Sequence, residues 1–271
     1  MSEFAGKVVV VTGAGRGLGR SHALEFARRG ARVLVNDLGG AVDGTGSGPT
    51  AQSVVDEIIE AGGEAIANTA SVVSEEGAES IIADALSAFG TVDILVNNAG
   101  ILRDKTFGNV TLENFRAVVD VHLMGSVQVT RAAWGIMARQ GWGRIVFTSS
   151  GSGIFGNFGQ ANYATAKMAL LGLMNVLALE GERKGIKVNT LAPGALTRMT
   201  EGLHDPNRNG RPDQVSPAVL YLSSEQAPQG IILQAADGRF SLIEISPGAA
   251  IDLGQDVSYE DFLTALPELG L

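Results

Sequence analysis

The 271-residue chain contains no cysteine, which excludes disulfides, thiolate metal sites and cysteine nucleophiles. Proline is scarce at 8 residues, and glycine follows no three-residue period, so a collagen-like fibre is excluded. Positive charge is short as well: 20 lysines and arginines face 29 acids, for a net charge of −9. That balance argues against nucleic acid or an anionic membrane surface as the main partner. Uninterrupted apolar runs such as residues 8–11 are strand-sized, and no membrane span of roughly 20 residues is expected. The three histidines, His22, His122 and His204, are too scattered to propose a metal site. Ser152, between Gly151 and Gly153, is not a GxSxG nucleophile elbow. The N-terminus lacks a basic signal region and the last four residues are not a Ser-Lys-Leu address, so a cytoplasmic protein is expected.

Glycine, by contrast, is abundant at 36 residues, well above a usual share of about 7%. Hydrophobic residues make up 45% of the chain, enough for a packed core rather than a disordered tract. The length fits one domain over residues 1–271. Strand-like runs at 7–12, 31–36, 64–68, 92–97, 144–149 and 186–191 alternate with helical patterns at 18–29, 51–61, 75–89, about 111–139 and 160–184. The alternation predicts an α/β, doubly wound fold with a mostly parallel, seven-stranded sheet and helices on both faces. After Gly194 the pattern loosens into a polar segment around 197–215. Two runs then flank Asp237-Gly238, a hairpin signal, and Ser258 and Asp261 stand in capping-box spacing.

The glycines concentrate where a strand turns into a helix. Thr12 is followed by Gly13, Gly17 and Gly19 in Gly-xxx-Gly-x-Gly spacing. That spacing allows a tight turn, close backbone approach to a pyrophosphate and a helix N-terminus aimed at the anion. Asp37 ends the second strand, where a carboxylate accepts from ribose hydroxyls and repels a 2′-phosphate; it equally suits a turn before Gly39-Gly40. Arg16, inside the glycine loop, offers charge to a 2′-phosphate, to the pyrophosphate or to solvent. NAD is favoured over NADP. Farther on come Asn97-Asn98-Ala99-Gly100, then Ser150, then Tyr163 and Lys167 at i and i+4 on one helix face. A phenol titrating near 10 is a poor acid–base catalyst, and a neighbouring ammonium is expected to favour the phenolate.

These motifs, with Pro193-Gly194 and Thr197 after the sixth strand, resemble the short-chain dehydrogenase/reductase family over about residues 6–223. The resemblance implies a Rossmann fold, a cofactor half over about 1–150 and a catalytic and substrate half over about 150–271. It implies hydride transfer at a carbinol carbon, with Tyr163 as acid/base, Ser150 orienting the substrate oxygen and Lys167 holding the nicotinamide ribose. The cofactor contacts it implies are Gly13, Arg16, Gly17, Leu18, Gly19, Asp37, Asn98, Ala99, Gly100, Tyr163, Lys167, Pro193, Gly194 and Thr197. Two positions depart from the family pattern. His122 stands where an asparagine usually holds a relay water, either as that holder or as a packing residue. Ala70 stands where an aspartate usually meets the adenine, which shifts that contact to Ser71 and Val72.

Four further stretches resemble one branch, the (3R)-hydroxyacyl-CoA dehydrogenase unit of multifunctional enzyme type 2, also called type 4 17β-hydroxysteroid dehydrogenase. They are residues 36–40, 97–103 (NNAGILR), the pair 121–126 around His122 and 128–134 (QVTRAAW), and 156–163 (GNFGQANY). A glycine-rich insert at 39–48 matches the branch in placement. NAD-dependent oxidation of a (3R)-3-hydroxyacyl-CoA is implied; unlike that multidomain branch, a free-standing enzyme is expected here. The alternatives are a hydroxysteroid dehydrogenase or an NADPH-dependent 3-oxoacyl thioester reductase. A non-catalytic NAD-binding protein has no need of Ser150, Tyr163 and Lys167 together. An anionic CoA ester on an acidic chain requires local positive charge, for which Arg103, Lys105, Arg198, Arg208 and Arg211 are candidates. Family resemblance also implies a homodimer or homotetramer through the helices of 111–184.

Overall fold

The computed structural model describes residues 2–195 and 210–270. Strand β1 (Val8–Thr12) reads VVVVT and is buried along its whole length, as a central parallel strand covered on both faces must be. Its side chains alternate. Val9 and Val11 join one core with Phe26, Val54 and Ile58, whereas Val8 and Val10 join another with Ile81, Met137, Leu170 and Met174. The period-two alternation thus feeds two apolar layers, one on each side of the sheet.

The strands β2 (Arg32–Asn36), β3 (Glu64–Asn68), β4 (Ile94–Asn97), β5 (Gly143–Thr148), β6 (Ile186–Gly194), β7 (Ile232–Ala236) and β8 (Arg239–Ile243) complete one sheet. Its order is β3-β2-β1-β4-β5-β6-β7-β8, parallel except for the antiparallel β7–β8 pair. The sheet therefore has eight strands rather than the expected seven. The Asp237-Gly238 turn, with φ of 52° and 74°, folds β8 back as an added edge, the left-handed pair that a tight hairpin demands. Strand β6 also runs past its expected end, so Pro193 and Gly194 belong to the strand.

Helices α1 (Gly17–Arg28) and α2 (Thr50–Glu60) lie on one face, and α3 (Glu75–Phe89) on the other. The side chain of Ser74 caps α3 by accepting from the Gly77 amide at 3.0 Å. The expected long helix at 111–139 is α4 (Leu112–Val119) and α5 (Gly125–Gln140), joined by a π-helical turn at Asp120–Met124. A short helix α6 (Gly151–Phe155), unforeseen from sequence, follows β5. It precedes α7 (Ala161–Gly181). Helix α8 (Ser216–Leu222) packs on α1, and α9 (Tyr259–Ala265) carries the expected Ser258–Asp261 capping box.

One span among the described residues, Ala161–Lys184, is long and apolar enough by length and composition to cross a membrane, with a mean hydropathy of 1.2. Uninterrupted runs miss it because Lys167 and Asn175 break the pattern. In the fold this helix lies on β6 and α4 and buries Leu170, Leu171 and Met174 against the sheet.

Parallel strands put their carboxyl ends on one edge, and the crossovers from β1 leave in opposite directions where β1 meets both β2 and β4. That switch point opens a crevice at the ends of β1 and β4. The glycine loop and the Asn97–Gly100 turn meet there.

Candidate active site

Two neighbouring cavities occupy this edge. The larger, about 430 Å³, is lined by Gly13, Arg16, Gly17, Leu18, Asp37, Ser71, Val72, Asn98, Ala99 and Gly100. The smaller, about 130 Å³, is lined by Ser150, Tyr163, Lys167, His122, Pro193 and Gly194, and shares Leu18, Asn98 and Gly100 with the first. Of the cofactor residues expected from sequence and described in the structure, only Gly19 lines neither. Gly19 packs beneath the turn, where a Cβ would strike the Gly13 carbonyl. Thr197 lies outside the described residues, as do Arg198 and Arg208.

The glycine loop is held shut from below. Gly13 has φ +64°, and a Cβ there would come within 2.7 Å of the Ala99 backbone, so only glycine fits. Asn98 Nδ2 donates to the carbonyls of Thr12 at 3.1 Å and Gly13 at 3.0 Å. Thr12 Oγ1 accepts from the amides of Asn98 and Ala99. No side chain caps the N-terminus of α1 at Arg16, and Arg16, Gly17 and Leu18 line the larger cavity, which sets a helix N-terminus beside it as an anionic pyrophosphate requires.

Asp37 ends β2 with both carboxylate oxygens engaged. Oδ2 accepts from Gly15 N at 2.8 Å, and Oδ1 accepts from Gly39 N at 2.6 Å and Thr50 Oγ1 at 3.2 Å. A carboxylate offers about four lone-pair directions, so one acceptor position remains for a ribose hydroxyl. Arg16 Nη1 donates to the Gly40 carbonyl at 3.3 Å. Loop amides, a ribose acceptor and an uncapped helix end in a cavity of this size fit a dinucleotide.

In the smaller cavity Ser150 caps α6, its Oγ accepting from Ser152 N at 3.1 Å, and hydrogen-bonds the Tyr163 phenol. Lys167 is buried, and its ammonium donates to the Thr148 carbonyl at 2.5 Å. It stands 5.6 Å from the centre of the Tyr163 ring. Burial lowers the Lys167 pKa to about 7. Burial raises that of Tyr163, Ser150 draws it back down, and Asp104 adds to the rise. The phenol thus stands above its ordinary value rather than below it as expected, and desolvation moves both groups toward neutrality.

His122 is buried on the π-helical turn, its ring edge-on to Tyr163 with centres 5.1 Å apart. Nε2 lies 2.8 Å from the Ile101 carbonyl oxygen and 3.0 Å from the Ile101 amide nitrogen. A Cβ on Gly100 would collide with the imidazole. Burial, then the Lys167 charge, hold its pKa well below the ordinary value, so the ring is neutral. Nδ1 is buried without a hydrogen-bond partner among the described residues. The π turn is what brings this ring against Tyr163.

Sequence reasoning missed several supports. Asn162, fully buried, donates through Nδ2 to the Arg103 carbonyl at 3.0 Å and accepts the Tyr163 amide at 2.9 Å. Gln160 Nε2 donates to Asp104 Oδ2 at 2.6 Å. Both belong to the GNFGQANY run, which signalled them only as part of a pattern. Of the basic candidates for an anionic substrate, Arg103 is tied to Asp43 and Asn114, and Arg211 pairs with Asp213. Lys105 is exposed.

The chain belongs to the short chain dehydrogenase family, whose sequence pattern matches residues 7–208. It is an oxidoreductase acting on CH–OH groups with a nicotinamide cofactor. It is 52% identical over 229 residues to peroxisomal multifunctional enzyme type 2 of Mus musculus, covering 83% of this chain. The chain spans only 31% of that relative's length. A crystal structure of a short chain dehydrogenase from Mycobacterium avium superposes with a TM-score of 0.87 at 41% identity, covering 99% of this chain and 96% of that one. A 7α-hydroxysteroid dehydrogenase complexed with NADH and 7-oxo glycochenodeoxycholic acid matches with a TM-score of 0.79 at 31% identity, covering 87% and 94%.

Proposed function

We propose that this enzyme oxidises a (3R)-3-hydroxyacyl-CoA to the 3-oxoacyl-CoA with NAD. The observation that carries the reading is the small cavity in which Ser150, Tyr163 and Lys167 converge, opening beside the glycine-loop cavity. Identity of 52% to the multifunctional enzyme supports the acyl-CoA substrate. NAD is supported by the Asp37 charge facing the ribose position and by the engagement of Arg16 with Gly40. The NADH complex of the steroid dehydrogenase points the same way.

Bound nicotinamide supplies the hydride acceptor. Ser150 Oγ and the Tyr163 phenolic oxygen, already hydrogen-bonded, hold the substrate oxygen between them. Tyr163, as phenolate, takes the hydroxyl proton while the carbinol C–H bond yields its hydride, leaving a carbonyl and a phenol. Lys167 favours the phenolate when protonated and holds the ribose. His122 positions Tyr163 and holds a water through Nδ1. Thr197, outside the described residues, is expected at the carboxamide or pyrophosphate end. Exposed Val176 and Leu179 on α7 support association with a second copy through α5 and α7.

A second reading, a hydroxysteroid dehydrogenase, is favoured by the likeness to the steroid enzyme. Initial rates separate the two. With NAD, (3R)-3-hydroxyacyl-CoA is expected to exceed both its (3S) epimer and a 7α-hydroxysteroid by about tenfold or more in kcat/KM. Preference for the steroid, or for NADPH with a 3-oxoacyl thioester, overturns the reading.

A further inference from the structure

The insert at 39–48 is outside the family motifs, yet it is tied both to itself and to the cofactor edge. Its ends meet: Gly48 N donates to the Leu38 carbonyl at 3.2 Å. At Gly39, with φ +79°, a Cβ would collide with the Gly48 backbone. Between these ends the loop folds on itself, with Ala41 N to Thr45 O at 2.7 Å and Gly44 N to Ala41 O at 3.0 Å. Asp43 spends a carboxylate oxygen on the amide and hydroxyl of Thr45.

The tip is docked on the far side of the crevice. Leu102 N donates to Val42 O at 2.9 Å, and Arg103 Nε donates to Asp43 O at 2.9 Å. At Gly44 a Cβ would come within 3.0 Å of the Ile101 side chain. The insert leaves the end of β2 and lands just beyond β4, and those two strands flank β1. It therefore crosses above the β1–α1 turn. Gly40, Ala41, Val42 and Gly44 line the larger cavity opposite Gly13 and Asp37.

We propose that residues 39–48 are a strap over the bound dinucleotide, latched by Arg103, which sets the residence time of the cofactor and its discrimination against a 2′-phosphate. The proposal rests on the nicotinamide-cofactor reading of the larger cavity. The strap meets the crevice through the Val42 and Asp43 carbonyls and at Gly44, and residues 39–48 themselves contain no lysine or arginine. It also occupies Arg16, the guanidinium best placed to meet a 2′-phosphate, through the Gly40 carbonyl. The cofactor leaves only after the Val42–Leu102 and Asp43–Arg103 hydrogen bonds part. The latch continues into the catalytic helix, because the Arg103 carbonyl accepts from Asn162, which holds the Tyr163 amide.

The test is stopped-flow displacement of NADH from the full chain, read by nicotinamide fluorescence without substrate. Three variants are compared with the parent: residues 40–47 replaced by Ser-Gly, Gly44→Val and Arg103→Met. The dissociation rate of NADH is expected to rise by about tenfold in each, with the association rate nearly unchanged. The preference for NADH over NADPH in Kd is expected to narrow in the shortened variant. Should that variant not fold by circular dichroism, the two point variants carry the result. Dissociation rates within twofold of the parent, or weaker binding through slower association alone, overturn the strap. A parent protein that binds no NADH overturns the cofactor reading instead.

Discussion

Replacing Tyr163 by Phe is expected to lower kcat/KM for alcohol oxidation by about 10²–10⁴-fold while NADH binds with unchanged affinity. The ring keeps its place in the variant, because Asn162 holds the residue 163 amide and His122 packs on the ring edge. Only the phenolic oxygen is lost, and with it the proton acceptor and the partner of Ser150. The parent enzyme has a matching pH signature. Burial raises the phenol pKa and the Ser150 hydrogen bond lowers it, so oxidation gains rate as pH rises through the ionisation of Tyr163. Ser150→Ala removes the counterweight and moves that limb to higher pH. A kcat/KM in Tyr163→Phe within about tenfold of the parent, at parental NADH affinity, removes Tyr163 from the chemistry.

Replacing Lys167 by Met is expected to abolish most activity and to remove the rise of stability with pH that the lysine imposes. The folded-state pKa of Lys167 is about 7 against an ordinary 10.5. Between those values the unfolded chain binds a proton that the folded chain releases, so parental stability rises with pH across the window. Below about pH 7 the full cost of burying the ammonium is present, and above about 10.5 it is gone. That cost is about 3–5 kcal/mol. Lys167→Met lacks this dependence and is expected to unfold at higher denaturant than the parent at pH 7. At pH 11 the advantage disappears, because the lysine is then largely neutral in the unfolded chain as well as in the folded one. A parent–variant difference that stays flat from pH 7 to 11 removes the depressed lysine from the account. Loss of activity together with gain of stability marks a group kept for function.

The sequence carried the residue types and their order along the chain well. The all-valine β1, the glycine spacing after Thr12 and the Tyr163–Lys167 helix face are local patterns, and local geometry suffices to read them. The Asp237-Gly238 turn was equally legible, although its hairpin supplied an eighth strand. Contacts made across crossovers were not legible. No periodicity reports that Asn98 ties the carbonyls of Thr12 and Gly13, because β1 and β4 become neighbours only through the strand order. The π turn at Asp120–Met124 is likewise invisible in the apolar pattern of 111–139, yet it sets the His122 ring against Tyr163.

By itself the sequence determined the α/β class, the glycine turn at the end of β1 and the set of hydroxyl, phenol and amine groups that the chemistry needs. These follow from side-chain periodicity and from what each residue type can donate, accept or fit. Only the tertiary structure decided the charge states and the enclosure of the site. Lys167 is driven toward neutrality and Tyr163 away from the phenolate by desolvation, and desolvation depends on what the rest of the fold packs around them. The glycine-rich insert became a bridge from β2 to β4 for the same kind of reason. Its partners, Leu102 and Arg103, lie some sixty residues away in the chain, and only the sheet brings them within hydrogen-bond reach.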